Sequence, residues 1–465
     1  MKTRLESDSI GTLEVPADAY YGVQALRGSI NFPITGNHMH DMQINMLAAL
    51  KKAAAYANHS AGVLDVKIRD AIVQACDEIM AGQLHDQFIV DPIQGGAGTS
   101  ANMNANEVVA NRAIEILGGE KGDYSIVHPN DHVNMSQSTN DIYPSSGKLA
   151  ALALMPALLE QLQRLEDALL QKSEEFDQVL KVGRTQLQDA VPIRLGQEFH
   201  AYASAIQRDL DRLSRAREQI SVLNMGATAI GTAINVPAKY LEEIAKDVSE
   251  ASGIAVTNNP DLVDGTQNLD GLVAVSGMLK ACAVTLSKMS NDLRLMSSGP
   301  KTGLAEINLP ARQNGSSIMP GKVNPVIPEV VTQVAYAVIG NDMTITMCAE
   351  AGQLELNAFE PVAFYRLFES ITALTGAVQT LTDNCILGIT ANEEHCKYLL
   401  DHSVCTVTAL TPHIGYKHSA AIAKTALKTG KTIRELVKEE KLMDDKELDE
   451  VLDPEHLTEP GKALH

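Results

Sequence analysis

The sequence predicts a mainly α-helical protein whose core consists of long helices. Apolar residues recur at three- and four-residue intervals in five stretches, which is the spacing of one helical face. These stretches cover residues 149–169, 199–220, 272–296, 326–348 and 354–381. Several of them exceed twenty residues, whereas an average helix has about 11–12 residues. The periodicity therefore indicates five long helices.

The third and fourth stretches also carry few charges over much of their length. A helix that is apolar on most sides must be buried on most sides. Because the bundle of one chain need not suffice to bury them, we predict an oligomer whose core is formed by shared helices. Pro156 lies inside the first stretch and predicts either a kink or a late helix start.

Changes in composition and apolar periodicity along the chain predict three domains. Residues 1–140 are mixed but mostly helical, with segments punctuated by glycine and proline. Residues 141–388 contain the long helices, and residues 389–465 are more charged with shorter helical patterns. In the last part, Thr432 followed by Glu435 predicts a capping box at a helix start.

Composition narrows the classes of function. The chain has 465 residues, of which 45% are hydrophobic and 21% charged, as in ordinary globular proteins. A formal net charge of −20 argues against nucleic acid or an anionic membrane as partner, but not against a small acidic substrate in a locally positive cleft. No signal peptide and no uninterrupted apolar run of membrane-spanning length are evident. Six cysteines without a paired spacing predict free buried thiols in a reducing cytoplasm.

The most informative segment is residues 315–325, Gly-Ser-Ser-Ile-Met-Pro-Gly-Lys-Val-Asn-Pro. Two glycines and two prolines make it a loop with built-in hinges, because neither residue type continues a helix or strand. The same loop carries two hydroxyls, a lysine and an asparagine, which suit proton transfer and anion binding. We interpret it as a lid that closes over a substrate, since a plain surface linker has no use for this set.

Two further segments concentrate hydroxyl and amide groups ahead of predicted helices. Residues 95–104 open one helix, where Thr99 and backbone N–H groups could bind an anion at the positive helix end, although capping alone also explains a threonine there. Residues 128–141 end in Ser138-Thr139-Asn140, which could cradle a carboxylate. A polar turn leading into the next helix explains this segment about equally well.

A third segment, residues 183–192, contains Thr185 and Gln186, which could also contact a ligand. Its charged residues Arg184 and Asp189 could instead pair with each other or with neighbours and serve structure only. The chain's scattered histidines include no credible set of metal ligands, so no metal site is predicted.

These four segments, in the order 95–104, 128–141, 183–192 and 315–325 along the chain, resemble the conserved regions of the aspartase/fumarase superfamily. Residues 16–22 and 355–357 extend the resemblance to nearly the whole chain. The resemblance implies a mixed N-terminal domain, a central five-helix bundle and a small helical C-terminal domain. It also implies a homotetramer in which three subunits contribute to each active site, and an elimination that releases fumarate.

The resemblance further implies a role for each matching residue. Ser316 would be the base and would react as an oxyanion. One substrate carboxylate would be held by Thr99, Ser138, Thr139 and Ser317. The other carboxylate would be held by Lys322 and Asn324, with Thr185 and Gln186 beside it. Asn140 would face the leaving group, and Glu329 would support these groups from behind.

Departures from the fumarase pattern favour the aspartase branch of the superfamily. Gln186, His132 and Glu360 stand where fumarases tend to carry other residues. A glutamine cannot activate water as an imidazole can, so we expect ammonia elimination from L-aspartate rather than malate dehydration. Class II fumarase and a non-catalytic tetramer are the alternatives. No cofactor is expected to be required, and activation by a divalent metal is left open.

Overall fold

The computed structural model describes residues 2–462, and helices account for 62% of the chain. This share is about twice that of a typical globular protein, so the predicted fold class is confirmed. The helices are α1 (Val23–Asn31), α2 (Asp41–Ser60), α3 (Val66–Met80), α4 (Thr99–Ile116), α5 (Thr139–Glu175), α6 (Leu195–Ala216), α7 (Ala238–Ser252), α8 (Leu262–Gln267), α9 (Asp270–Met296), α10 (Val326–Glu350), α11 (Glu360–Asn384), α12 (Glu393–His402), α13 (Val407–Thr429), α14 (Ile433–Glu439), α15 (Asp445–Val451) and α16 (Pro454–Thr458).

The strands of the described residues are short and form two-stranded sheets. They are β1 (Thr3–Ser7), β2 (Thr12–Pro16), β3 (Leu180–Thr185), β4 (Gln188–Arg194), β5 (Val222–Leu223), β6 (Thr257–Asn258), β7 (Ile307–Asn308) and β8 (Thr390–Ala391). Strand β1 pairs with β2, β3 with β4 and β7 with β8, all antiparallel, whereas β5 and β6 are parallel.

The chain divides by its internal packing into two compact units. The first comprises Met1–Leu159, Asp211–Ala283 and Tyr336–Thr375. The second comprises Glu160–Leu210, Val284–Ala335 and Gly376–His465. The three domains predicted from sequence, with boundaries near residues 140 and 388, stay a prediction.

The five predicted long helices correspond to α5, α6, α9, α10 and α11. Helix α5 begins at Thr139 and contains both Pro144 and Pro156, so of the two outcomes predicted for Pro156 the late start is wrong and the kink stays a prediction. Helix α11 begins at Glu360, six residues after the predicted Leu354. The residues before it form a turn in which the Asn357 side chain accepts a hydrogen bond from Phe359 N at 2.9 Å. Pro361, the second residue of α11, favours this start. A proline lacks the backbone N–H, and the first N–H groups of a helix have no partner within the helix.

In the first unit, α2 packs against α3 and α7. Its buried face includes Leu47 and Leu50, and they are fully enclosed together with Ile72 of α3 and Ile244 of α7. Lys51 belongs to the same buried face and is also fully enclosed. A lysine in this position must find hydrogen-bond acceptors inside the protein.

In the second unit, the C-terminal helices enclose a small apolar core that includes Leu410, Ile422 and Val437. The predicted capping box is present at the start of α14. Thr432 Oγ1 accepts a hydrogen bond from Glu435 N at 3.2 Å, and the Glu435 carboxylate accepts one from Thr432 N at 2.9 Å.

All six cysteines are buried and free, as predicted. Burial raises the pKa of Cys76, Cys385 and Cys396 to about 12. These thiols therefore stay protonated at neutral pH and react slowly with electrophiles.

Two helices, α5 and α9, are long and apolar enough to cross a membrane by length and composition alone. However, 67% of the most apolar window of α5 and 50% of that of α9 are buried inside the chain. Core helices of soluble proteins have the same property, so this finding weighs little in favour of a membrane span.

Candidate active site

The predicted site residues fall into two sets, one in each compact unit. The first unit holds Thr99, Ser138, Thr139 and Asn140, and the second holds Thr185, Gln186, Ser316, Ser317, Lys322, Asn324 and Glu329. In both units these residues lie in loops, at the ends of strands or in the first turn of a helix.

Thr99 is the first residue of α4, as its sequence context predicts. The residues before it, Ala97 and Gly98, have positive φ values of 55° and 90°, and so the chain turns sharply into the helix. An added Cβ at Gly98 would lie 2.3 Å from the Tyr143 ring, so only glycine fits this approach. The Thr99 hydroxyl donates to Gly96 O at 2.7 Å and is exposed at the positive end of the helix.

Ser138, Thr139 and Asn140 form the entry into α5. Ser138 Oγ accepts a hydrogen bond from Asn140 N at 3.2 Å, as a capping residue does. The buried Asp141 carboxylate accepts from Ser138 N at 2.9 Å and from Thr228 N at 3.0 Å. These bonds hold the three polar residues in a fixed conformation. The Asn140 amide donates to Ala229 O at 2.7 Å.

Lys51 lies beneath this segment, and no sequence motif predicted a role for it. Its ammonium donates to Asn102 Oδ1 at 2.7 Å, Gln137 Oε1 at 2.8 Å and Asn134 Oδ1 at 3.0 Å. Asn102 Nδ2 in turn donates to Thr139 Oγ1 at 3.2 Å. The only sequence signal was a lysine on the apolar face of α2.

In the second unit, Thr185 and Gln186 lie at the tip of the hairpin formed by β3 and β4. Gln186 and Leu187 both adopt positive φ, 53° and 61°, in a two-residue turn that normally favours Asn-Gly. Leu187 is 68% exposed, so apolar burial does not explain the conformation. Strained backbone at an exposed tip is typical of functional segments.

Buried charges hold this hairpin in place within the second unit. Arg184 lies opposite Asp189 in the strand register, but its side chain forms an ion pair with the fully buried Glu306 at 2.7 Å instead. Glu306 Oε2 also lies 3.2 Å from Lys181 Nζ, an ion pair whose geometry makes no hydrogen bond. Asp189 instead accepts a hydrogen bond from Ser403 Oγ at 2.7 Å. The structure thus supports a structural role for both Arg184 and Asp189.

The lid loop, residues 315–325, is closed at its base and exposed at its tip. Gly315 N donates to Lys322 O at 2.8 Å, and Asn324 Nδ2 donates to Gly315 O at 2.9 Å. An added Cβ at Gly315 would lie 2.7 Å from Lys322 O, so the closure requires glycine. Ile318 at the tip is 83% exposed.

Ser316 Oγ accepts two backbone hydrogen bonds inside the lid loop, from Ile318 N at 3.2 Å and Met319 N at 3.1 Å. Two amide donors aimed at one oxygen favour its negatively charged form. Lys322 is exposed near the end of the same loop, and Glu329 lies in the first turn of α10. The loop therefore carries both a hydroxyl whose anion is stabilised and an exposed cation.

The chain matches known lyases along most of its length. A family profile described as "Lyase" matches residues 11–340, and one described as "Fumarase C C-terminus" matches residues 407–459. The chain is 52% identical to the aspartate ammonia-lyase of Bacillus subtilis, covering 99% of this chain and 97% of the relative. It is 53% identical to that of Pseudomonas aeruginosa, covering 98% and 97%.

The chain belongs to the aspartase/fumarase superfamily. The superfamily resemblance predicted from the polar segments is therefore confirmed.

Solved structures of this superfamily have the same fold. A fumarate lyase:delta crystallin from Brucella melitensis bound to cobalt matches with a TM-score of 0.95 at 50% identity, over 97% of this chain and 99% of that one. A class II fumarase from Schistosoma mansoni matches with a TM-score of 0.94 at 36% identity, over 99% and 100%.

Two of the residues that depart from the fumarase pattern, His132 and Glu360, are shielded from solvent to different degrees. His132 Nδ1 accepts a hydrogen bond from His128 N at 2.8 Å, and burial lowers the pKa of the His132 ring. Glu360 is fully buried, which raises its pKa to about 8 against the opposing effect of Lys148. Burial thus favours the uncharged form of Glu360.

Within residues 2–462, no three or more His, Cys, Asp and Glu side chains are grouped so as to hold a metal ion. His40 is half-buried and caps α2 by accepting a hydrogen bond from Met42 N at 3.1 Å. The expectation that no cofactor is required stays a prediction.

Proposed function

We propose that the protein catalyses the reversible deamination of L-aspartate to fumarate and ammonia by anti-elimination. The observation that carries this proposal is the identity of about half the residues, along the whole chain, with proteins named aspartate ammonia-lyase. The geometry of Ser316 supports it, because this reaction needs a strong base in a preorganised position.

The chemical difficulty is the proton next to an ionised carboxylate, whose removal places a second negative charge on that carboxylate. In the proposed mechanism Ser316 Oγ, as an oxyanion held by the lid amides, takes this proton. The electron pair moves onto the carboxylate and forms an aci-carboxylate. The pair then returns to form the double bond of fumarate while the C–N bond breaks and ammonia leaves.

The remaining groups bind charge and fix orientation. Hydrogen bonds to the aci-carboxylate come from Thr99, Ser138, Thr139 and Ser317. The second carboxylate binds Lys322 and Asn324, with Thr185 and Gln186 beside it, and Asn140 faces the leaving group. Glu329 supports these groups without touching the substrate. No cofactor takes part in these steps, and turnover of EDTA-treated protein with and without added Mg²⁺ or Co²⁺ tests for metal activation.

We further propose that the protein is a cytoplasmic homotetramer with active sites assembled from three subunits. An apolar stripe on α10 supports the shared helical core. Tyr336, Met343 and Met347 recur at helical spacing and are 64%, 62% and 64% exposed in the isolated chain. Covering such a stripe with other subunits removes it from water. A native mass other than four times 50.0 kDa in sedimentation analysis would contradict this assembly.

Class II fumarase is the second candidate, because the Schistosoma mansoni fumarase has the same fold and the C-terminal profile is named for fumarase. Gln186 opposes it, since an amide cannot act as an acid or base toward water. An ammonium group needs no such acid, because it leaves as a neutral amine that takes its proton from solvent.

Ultraviolet absorbance of fumarate distinguishes the candidates. The purified protein is mixed with L-aspartate and, separately, with L-malate. We expect absorbance to rise with aspartate alone, with ammonia released in equal amount. A rise with malate alone would establish a fumarase, and no rise with either substrate would favour a non-catalytic protein.

A further inference from the structure

Lys51 has an unusual environment for a buried lysine. It is fully enclosed, and its three hydrogen-bond partners are the neutral amide oxygens of Asn102, Asn134 and Gln137. An ammonium has three hydrogens and no acceptor, so three acceptors match its charged form in number. Burial lowers the pKa of Lys51, and the nearby Asp141 carboxylate opposes this shift.

The ammonium determines which way the amides point. Because it can only donate, the oxygen of each of the three amides must face it and each NH₂ group must face away. The NH₂ groups find other acceptors. Gln137 Nε2 donates to Val133 O at 3.0 Å, and Asn134 Nδ2 donates to Gln137 O at 3.3 Å.

Asn102 connects these oriented amide groups to the candidate site. Its Nδ2 donates to Thr139 Oγ1 at 3.2 Å. The Thr139 oxygen is therefore an acceptor on its inner side, and its own proton is left to donate elsewhere. The three groups form a one-way chain of hydrogen bonds, the Lys51 relay, which runs from Lys51 through Asn102 to Thr139.

We propose that Lys51 is a positioning residue that acts through this relay, so that the Thr139 hydroxyl donates its proton to the substrate carboxylate. This inference rests on the proposed function, in which Thr139 binds the carboxylate that becomes the aci-carboxylate. A donor in a polarised chain binds growing negative charge better than a free hydroxyl does. The relay thus acts mainly when the second charge forms, and it supports kcat more than substrate affinity.

Asn102→Asp tests the direction of the relay. The introduced carboxylate keeps the shape of the amide and still accepts from Lys51, but it cannot donate to Thr139. The Thr139 hydroxyl then donates inward to this carboxylate and presents only its oxygen to the substrate. We expect kcat/KM to fall by about 100-fold or more, the usual effect of losing one donor to an oxyanion, with most of the loss in kcat.

Asn58→Asp is the matched control. Asn58 holds the same loop, since it donates to Met135 O at 2.9 Å and accepts from Ser136 Oγ at 2.7 Å, but it lies outside the relay. We expect this variant to retain kcat/KM within about threefold. An equal loss in both variants would show general loosening of the loop and would overturn the proposal.

A double-mutant comparison separates orientation from structure. If the relay acts through Thr139, adding Thr139→Val to Asn102→Asp should lower kcat/KM by less than about threefold, although Thr139→Val alone lowers it strongly. Additive losses would overturn the proposal. Should Asn102→Asp fail to fold, Asn102→Leu replaces it, with an expected loss of about tenfold because the hydroxyl then rotates freely.

Calorimetric binding of succinate keeps this test separate from the test of function. Succinate carries both carboxylates but no leaving group. If the wild-type protein forms no fumarate from aspartate, the proposed function fails. The relay is then still supported by about threefold weaker succinate binding in Asn102→Asp than in Asn58→Asp, the small effect on affinity expected of a relay that acts mainly when the second charge forms, and is overturned by equal binding.

Discussion

Replacing Ser316 with alanine is expected to lower kcat by roughly 10²–10⁴-fold, the usual contribution of a positioned base. Ser316 Oγ accepts hydrogen bonds from Ile318 N and Met319 N. Alanine removes this oxygen, so no atom remains there to take the substrate proton. Substrate affinity should stay within about threefold of wild type, because the carboxylate-binding groups are unchanged.

The measurement is steady-state fumarate formation from L-aspartate, with succinate binding measured separately. Circular dichroism and native mass should match those of the wild-type protein. Activity within tenfold of wild type would place the base on another residue. A loss of activity together with a changed native mass would point to assembly instead.

Replacing Lys322 with alanine is expected to have the second-largest effect, in this case on binding. A hydrogen bond to a charged group contributes about 1.5–3 kcal/mol, so we expect KM for aspartate to rise by roughly 10- to 100-fold. The lysine is exposed on the lid loop, where its charge is available for a carboxylate. The dissociation constant of succinate should rise by a similar factor.

Lys428→Ala is the matched control, since Lys428 is an exposed lysine on α13 outside the proposed site. It removes the same charge and should leave KM unchanged. If both variants bind succinate more weakly than the wild-type protein and this difference disappears at high ionic strength, the effect is one of general electrostatics. An unchanged succinate affinity in Lys322→Ala would contradict the carboxylate role.

Local sequence signals predicted those parts of the site that depend on local chemistry. Glycines and prolines predicted the lid loop, and the glycine- and hydroxyl-rich segment 95–104 predicted a helix start, because backbone conformation there depends on adjacent residues. Thr432 and Glu435 predicted a capping box for the same reason. The long helices followed from apolar periodicity, which burial enforces along the whole element.

Features that depend on distant residues were not predictable in this way. The hairpin of β3 and β4 turns at Gln186 and Leu187, a pair without turn propensity, so its conformation depends on contacts such as that between Arg184 and Glu306. Lys51 gains its role from partners 51 and 86 residues away, at Asn102 and Gln137. A single sequence shows only that a lysine occupies an apolar face.

The six enclosed cysteines make the molecular surface inert toward thiol reagents. A single cysteine introduced at the lid tip, Ile318→Cys, would then be the only thiol that a maleimide dye modifies quickly, since Ile318 is 83% exposed and every native thiol is buried. A fluorophore attached there would test in real time whether the loop moves when substrate binds, without a cysteine-free background. Burial of all native thiols thus allows site-specific labelling of the surface through a single introduced cysteine.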